Sequence, residues 1–539
     1  MVTIALACAA CHAEQDEPPL AEAPVAADRA ELREQMLAQV RRIVEEGLQA
    51  PCALPSVERQ PLHVVVSLYF EGTAMATGTS TQPEICAALT EATLKSINDA
   101  GLDPSLLDQV NFAVELPNHG YGFIEHEGRA LEFVDGIVPV RSVDKAMVRA
   151  RIDEGRDYLL RVMDPELGGV HKYYYASSDS FEDRLHAIYT ASTIYTLLLL
   201  HEHDKDPALR EPIDRAAEFL LSMQRIAPGQ PGHGAFHYSL ELGHRSREPR
   251  YVVGTTSKTI FSLIELHELT KDERYLAAAH LAAQWLMSMQ REDGSVAPEL
   301  HLDESGEWVT VERESMLYTG QVLSALSRLH QATGGATGET HYLDAATRIA
   351  AHLRAKVERE GCYLGDDYRS HNPISSSWVI LSLFDYARAS GDIDASRQAY
   401  TCADALLGRQ IDSPGDIASH GRWSASLSSS GAGWMAEVLS TLYLDCPEDD
   451  PQGCSRYREA VVLLLRLLMQ HTYGPENSFA AKNPAMARGG LFWNAQDRYV
   501  RTDAVCHAMN AYVLMLDELP EGVLLELPEP GLDSLIRPK

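Results

Sequence analysis

The chain has 539 residues, 45 % of them hydrophobic, which is enough for two domains with large cores. Its 46 Lys and Arg residues against 77 Asp and Glu residues give a net charge of −31. This charge argues against a nucleic-acid partner and against long-range attraction to anionic membranes, because like charges repel.

Residues 1–27 have the features of an export signal followed by a tether. Small and apolar residues lead up to Cys8 and Cys11, and a polar, proline-rich stretch covers residues 14–28. This order is typical of a bacterial lipoprotein. We therefore expect an exported protein in the periplasm or at the cell surface, which contacts the membrane only through an N-terminal lipid anchor.

Residues 28–147 predict a small α/β domain. The predicted elements are helices over residues 29–48 and 82–100, strands over 63–70 and 110–116, and a hairpin over 122–134 that turns at Glu127 and Gly128. This order, including the stretch 120–138, is similar to that of AMMECR-type domains. Residues 74–79 are expected to be a loop, in the place of that family's Gly-Cys-bearing loop. An accessory or scaffolding role is the expectation for this domain.

Residues 148–520 repeat a pair of helices. Apolar helices, which we call inner helices, are predicted to begin near Arg184, Thr255, Ser315, Ser375, Gly433 and Thr502. Amphipathic outer helices are predicted over 208–224, 275–290, 342–357, 395–409 and 457–471, and another, over 148–163, precedes the first inner helix. Six pairs form only if the last inner helix docks beside this first outer one. The sequence thus predicts a mostly α protein, an (α/α)6 toroid preceded by the small α/β domain, with residues 521–539 as a tail.

The loops that precede the inner helices differ from those that follow them. The latter are short and polar, whereas the former are long and rich in Gly, aromatic, His and Arg residues, which indicates a functional rim. Sugar rings need aromatic faces for their C–H surfaces and polar partners for their hydroxyls. The candidate substrate-binding residues on this rim are Tyr173, Tyr175, His237, Arg250, Tyr368, Trp423, Trp434, Trp493 and Arg501.

In architecture and in the Gly-aromatic loop before each inner helix, residues 148–520 resemble the six-hairpin glycosidase-like superfamily. That superfamily includes unsaturated-glucuronyl hydrolases, polysaccharide lyases, acylglucosamine epimerases and the toroidal part of glucuronyl C5-epimerases. The resemblance implies a carbohydrate-active enzyme but carries over no catalytic residue. The basic rim loops of an acidic chain favour an oligo- or polysaccharide substrate that contains uronic acid.

Three reaction types remain open, and hydrolysis is placed slightly ahead. Hydrolysis needs two carboxyl groups, for which Asp367 and Glu314 are the first candidates and Asp503 the next. Tyr318 lies on the inner helix after Glu314 and is a further catalytic candidate.

β-Elimination and C5-epimerisation instead need Tyr, His or Lys as acid and base, with a cation on the substrate carboxylate. His186 at the first inner helix, and His507 with Arg501 at the sixth, fit this chemistry. A different class of answer is a non-catalytic lipoprotein that binds a glycan or a protein.

No metal and no cofactor are expected, because the usual ligand spacings and nucleotide-binding loops are missing. Cys446 and Cys454 bracket a short loop and are predicted to form a disulfide in an exported chain. Cys362, Cys402 and Cys506 are predicted to be small buried apolar side chains.

Overall fold

The computed structural model describes residues 27–52, 54, 63–337, 340–424, 428–446 and 451–528. The predicted export signal and tether lie almost wholly in residues 1–26, outside the described residues. Among the described helices none is long and apolar enough to cross a membrane.

The first part of the chain forms an antiparallel sheet with two long helices. Its elements are α1 (Ala27–Glu46), β1 (Val64–Phe70), β2 (Thr73–Ser80), α2 (Ile85–Ala100), β3 (Asn111–Leu116), β4 (Tyr121–His126) and β5 (Arg129–Glu132). The strand order is β2-β1-β3-β4-β5. Alternate side chains of β1, from Val64, Val66 and Leu68, are buried in one apolar cluster with residues of α1 and α2. The predicted helices, strands and hairpin are all present.

Residues 74–79 were predicted to be a loop, and that prediction is wrong. They form most of β2, whose Gly78 is paired with Val66 of β1. Most β2 side chains are small or polar and exposed, so the strand lacks the apolar alternation that would predict it. A Cβ on Gly78 would lie 2.0 Å from the carbonyl oxygen of Ala92, so a glycine is required where α2 packs on the strand.

Six helical hairpins form a closed ring. The inner helices are α4 (Ala187–Asp204), α6 (Val253–Thr270), α8 (Met316–Thr337), α10 (Pro373–Ser390), α12 (Ser429–Leu444) and α15 (Thr502–Leu516). The outer helices are α3 (Lys145–Arg161), α5 (Arg210–Ser222), α7 (Glu273–Ser288), α9 (His341–Glu360), α11 (Ile393–Leu407) and α13 (Pro451–Gln470). The last inner helix, α15, packs against both α3 and α4. The predicted (α/α)6 architecture is therefore confirmed.

Glycines hold five of the six long loops against an outer helix. Residues of this kind, each with positive φ, are Gly168, Gly234, Gly294, Gly421 and Gly489. At Gly489 a Cβ would lie 2.0 Å from the carbonyl oxygen of Glu154 in α3, and φ is +82°. Only glycine tolerates both conditions. The last long loop is thus fixed to the first outer helix.

Short strands connect neighbouring loops along this rim. They are β7 (Tyr173–Tyr175), β8 (Ser180–Phe181), β9 (Arg184–His186), β10 (Ser239–Glu241), β11 (Ser246–Arg247), β12 (Arg250–Val252), β13 (Glu299–Leu302), β14 (Trp308–Thr310) and β15 (Val500–Arg501), with a one-turn helix α14 (Pro484–Ala487). Pairing of Arg501 with Tyr173 closes the rim as well as the ring. At the joint between the two parts, β6 (Ser142–Asp144) pairs with β16 (Val523–Glu526), so part of the predicted tail is a strand.

The sheet part is packed onto the ring. His126 Nε2 lies 2.7 Å from the carbonyl oxygen of Pro475, and the Tyr69 ring contacts that of Phe479 with centroids 5.1 Å apart. Gly72, with φ +79°, lies against the backbone of Ala481 and Lys482, where a Cβ would clash. The two parts therefore share a close-packed boundary next to the last long loop.

Three disulfides are present among the described residues. The predicted bond between Cys446 and Cys454 is confirmed. Cys362 and Cys402, predicted to be buried thiols, instead form a disulfide that links the loop before α10 to outer helix α11. A third joins Cys52 to Cys86, and Cys506 is a buried thiol as predicted.

Candidate functional site

A cavity of about 730 Å³ lies at the end of the ring where the long loops meet; we call it the central cavity. All six inner helices contribute to its wall through residues of their first two turns. Representative residues are Tyr189 of α4, Lys258 of α6, Tyr318 of α8, Trp378 of α10, Trp434 of α12 and His507 of α15. Because the ring is closed, the six inner helices each contribute side chains to this single cavity.

Aromatic rings form much of the wall. Trp378 and Trp434 are stacked with ring centroids 3.8 Å apart, and Trp434 Nε1 donates a hydrogen bond to Ser377 Oγ at 3.0 Å. Tyr238 and Trp493 line other parts of the cavity. Such surfaces suit the apolar faces of sugar rings.

A buried carboxylate holds the histidine at the base of the cavity. The Nδ1–H of His507 donates to Oε2 of Glu437 at 2.6 Å. Burial would raise the pKa of Glu437, but the adjacent His507 outweighs this effect and lowers it. The glutamate is therefore ionised and accepts the hydrogen of Nδ1, so in a neutral imidazole the lone pair lies on Nε2. His507 itself lines the central cavity, whereas Glu437 lines a small void beneath it.

Asp503 is the only carboxylate in the described lining of the central cavity, and it is already paired. Arg501 Nε donates to its Oδ1 at 2.6 Å, and Ser430 Oγ donates to its Oδ2 at 3.1 Å. Burial opposes ionisation of Asp503, but Arg501 dominates and lowers the pKa of the carboxyl to about 2. Asp503 is thus a fixed anion, not a proton donor.

Three further cations line the cavity: Lys172, Lys258 and Arg369. In the described part of the chain none of them forms an ion pair with a carboxylate. Lys258 Nζ lies 5.2 Å from the ring centroids of both Trp378 and Trp434, and burial lowers its pKa. The charge of Arg501 is neutralised by Asp503, so the other three cations give the described lining an excess of positive charge. The protein as a whole has a net charge of −31.

The structure brings six of the residues predicted from sequence to the central cavity. They are Tyr318, Trp434, Trp493, Arg501, Asp503 and His507. Four others lie on the rim behind its wall. His186 is buried against the rings of Tyr189 and Tyr238, and Arg250 lies over the Tyr238 ring and pairs with Glu299.

The other two residues on the rim are Tyr173 and His237. Lys172 Nζ lies 4.6 Å from the centroid of the Tyr173 ring, and His237 Nδ1 lies 3.0 Å from the carbonyl oxygen of Glu248. Tyr175 and Tyr368, with 40 % and 41 % of their surfaces exposed, lie outside the central cavity. Arg313 covers the ring of Tyr368.

Asp367 and Glu314 do not line the cavity, which differs from the expectation for a hydrolytic pair. Asp367 Oδ2 accepts the backbone N–H of Glu314 at 2.7 Å. The Glu314 carboxylate is turned to outer helix α9, where His352 Nε2 lies 2.5 Å from Oε1 and Lys356 lies 3.4 Å from Oε2. Both carboxylates thus stabilise the start of α8 and its contact with α9.

Trp423 is part of the protein core and not a stacking surface. It is 2 % exposed, and its Nε1–H donates to the carbonyl oxygen of Leu406 at 2.8 Å. The residue forms a bridge with Gln410 at the end of an outer helix. The equivalent bridging residues of other hairpins are the buried Val170, Phe236, Val296 and Leu491. The aromatic side chain therefore fills a structural position that five of the six hairpins possess.

Sequence reasoning missed Lys258, Glu437 and Trp378. The sequence did carry a signal for Lys258 and Glu437. A charged residue in the middle of an inner helix that is otherwise apolar or small must face a cavity or a buried partner. Among the described residues, no group of three or more His, Cys, Asp or Glu side chains is arranged to hold a metal ion.

The ring matches solved structures of sugar-converting enzymes. Cellobiose 2-epimerase from Bacillus thermoamylovorans B4167 is 12 % identical, with a TM-score of 0.53 over 70 % of this chain and 99 % of that one. The ring shares the (α/α)6 toroid fold of this structure. A D-mannose isomerase is 12 % identical, with a TM-score of 0.52 over 70 % of this chain and 98 % of that one.

Cellobiose 2-epimerase from Spirochaeta thermophila DSM 6192 is 15 % identical, with a TM-score of 0.50 over 69 % and 96 % of the two chains. No protein-family model and no curated protein matches the sequence. At these identities the likeness establishes the toroid fold alone.

Proposed function

We propose that the chain is a carbohydrate-active enzyme that removes the proton next to the carboxylate of a uronic-acid unit. The observation that carries this proposal is the pair formed by His507 and Glu437, of which His507 lines the central cavity. A histidine oriented by a carboxylate is a common general base in enzymes. The names of the similar structures, two epimerases and an isomerase, agree with sugar interconversion.

The charge of the cavity supports an anionic sugar. Proton loss beside a carboxylate places negative charge on that group, and nearby cations must stabilise it. Lys258 and Arg369 have no carboxylate partner among the described residues, so they are available to a substrate carboxylate. The stacked Trp378 and Trp434 next to Lys258 offer an apolar face for the same sugar ring.

The chemical step begins with transfer of the proton to Nε2 of His507, and the electron pair moves onto the carboxylate. In elimination, the neighbouring C–O bond then breaks, and its oxygen leaves with a proton supplied by a phenol. In epimerisation, the phenol returns a proton to the same carbon from the opposite face. Tyr189 and Tyr318 line the cavity and supply candidate phenols.

Hydrolysis, which the sequence placed first, has less support. It requires one protonated and one ionised carboxyl group at the same bond. Asp503 is the only carboxylate in the described lining, and its pKa of about 2 makes it a poor acid. Asp367 and Glu314 are engaged at the start of α8.

Export is part of the proposal. Three disulfides in the described residues support it, because such bonds persist in oxidising compartments. A lipid anchor rests on residues 1–27 alone and remains a prediction.

A single panel of uronic-acid polysaccharides tests the function. Absorbance of an unsaturated product detects elimination, solvent deuterium entering the sugar detects epimerisation, and new reducing ends without unsaturation detect hydrolysis. We expect one of the first two signals. Hydrolysis alone would overturn the proton-transfer step, and absence of binding to every glycan would overturn the carbohydrate function.

A further inference from the structure

A second cleft, of about 650 Å³, lies between the sheet part and the toroid; we call it the interdomain cleft. The sheet part contributes Tyr69, residues 72–74, Glu115 and Asp135, and the rim contributes residues 175–177 and 495–499. The central cavity is lined by Trp493 and Asn494 of the same loop. One loop therefore forms a wall of both cavities.

Aromatic rings in mutual contact lead from one cavity to the other. Trp493 in the central cavity is stacked on Tyr499, with centroids 5.9 Å apart and planes 18° apart. Tyr499 in turn lies 6.4 Å from Tyr175, and both line the interdomain cleft. Tyr175 is 40 % exposed, so part of its ring surface is open to a ligand.

The two cavities differ in charge. The interdomain cleft is lined by Glu115, Asp135 and Asp497 against one cation, Arg498. The Arg498 guanidinium already has partners within the protein. It donates a hydrogen bond to the carbonyl oxygen of Gly136 and lies over the rings of Phe479 and Phe492. A second uronate would meet repulsion here, whereas hydroxyl groups would find carboxyl oxygens as partners.

We propose that the interdomain cleft binds an uncharged sugar unit of the same glycan whose uronate occupies the central cavity. This inference rests on the proposed function and narrows its substrate to a heteroglycan in which uronate and uncharged sugars are joined. It also gives the sheet part a role as one wall of the binding site. The row of aromatic rings formed by Trp493, Tyr499 and Tyr175 then provides the stacking surfaces for successive sugar rings.

Calorimetric binding to the full chain tests this inference with three probes: free glucuronate, a hyaluronan hexasaccharide in which glucuronate alternates with an N-acetylated sugar, and an oligogalacturonate of equal length. We expect the hexasaccharide to bind the unmodified protein most tightly. Tyr175→Ala should weaken hexasaccharide binding roughly three- to tenfold, which corresponds to the loss of one aromatic contact, and should leave glucuronate binding unchanged.

A second variant blocks the cleft from the side of the sheet. Ala74 is exposed on β2 and lines the cleft, so Ala74→Trp should weaken hexasaccharide binding more than tenfold. The matched control is Met75→Trp, because Met75 is 39 % exposed on the same strand and does not line the cleft. Both variants should bind glucuronate like the unmodified protein.

The outcomes separate the two proposals. If the hexasaccharide binds no more tightly than glucuronate, or if Ala74→Trp and Met75→Trp behave alike, the inference is overturned while the function stands. Tighter and Tyr175-dependent binding of the oligogalacturonate would show that a uronate takes the cleft, and would also overturn it. Failure of all three probes to bind the unmodified protein would overturn both this inference and the proposed function.

Discussion

The Nδ1 atom of His507 lies 2.6 Å from Oε2 of Glu437, at the base of a cavity that six helices enclose. Replacement Glu437→Gln keeps the size of the side chain but removes the ionised partner. We expect kcat on a uronic-acid glycan to fall about 100-fold or more, the range in which general acid–base catalysis contributes. Steady-state kinetics of the purified variant measures this loss.

The control for that variant is Asp385→Asn. Asp385 is a buried inner-helix carboxylate paired with Arg328, and it does not line the central cavity. This change should lower the stability of the protein and leave kcat nearly unchanged. An equal loss of kcat in both variants would mean that Glu437 acts only through the fold.

Lys258→Gln should affect substrate binding more than turnover. Its ammonium lies beside the stacked Trp378 and Trp434 and has no carboxylate partner among the described residues. We expect KM for an anionic glycan to rise about tenfold, the loss of one charge-assisted contact. Lys271→Gln, at the opposite end of helix α6, serves as the charge-matched control and should leave KM unchanged.

Two tryptophans should behave in opposite ways. Trp423→Ala empties a core position, so the free energy of unfolding should fall by about 3–5 kcal/mol. Trp493→Ala removes a cavity wall, so glycan binding should weaken while stability changes little. Denaturant titration and calorimetric binding of both variants measure the contrast, and unchanged binding by the Trp493 variant would remove that residue from the site.

His471 should make the fold sensitive to acid. Burial lowers its pKa to about 4 from an ordinary 6.5, so the unfolded chain takes up a proton at a higher pH than the folded chain. The stability contribution is therefore complete above pH 6.5 and is lost as the pH falls through 4, by about 3 kcal/mol in total.

The measurement is the free energy of unfolding at pH 7 and pH 4.5, with His471→Gln for comparison. The variant should lose less stability between these two conditions than the unmodified protein. An identical decline in both would assign the acid sensitivity to other groups.

The disulfide between Cys362 and Cys402 should contribute more to stability than the one between Cys446 and Cys454. The first closes a sequence separation of 40 residues and the second one of 8. Loop-closure entropy predicts about 4 and about 2.5 kcal/mol, respectively. Paired Cys→Ser variants, compared by thermal unfolding under non-reducing conditions, measure the difference.

The sequence predicts the toroid well because each helix carries its own apolar periodicity, and the extra outer helix at residues 148–163 requires ring closure. The side chains of the site are harder to predict. Trp423 and Trp493 occur in similar Gly-aromatic loops, yet one is buried at an outer-helix bridge and the other lines the cavity. Only three-dimensional placement separates them. Glu437 and Lys258 lie on different helices, and both line the small void beneath the central cavity because the closed ring brings these helices together.

Closure of the ring through Gly489 and helix α3 has a consequence for biosynthesis. The first outer helix leaves the ribosome long before α15, the inner helix that covers it, has been made. Its apolar side therefore stays uncovered until the whole repeat array has been translated. The first unit of an open solenoid, in contrast, packs on its neighbour as soon as that neighbour is made. Truncation at either end would therefore expose two unpaired faces and destroy the enclosed cavity at the same time.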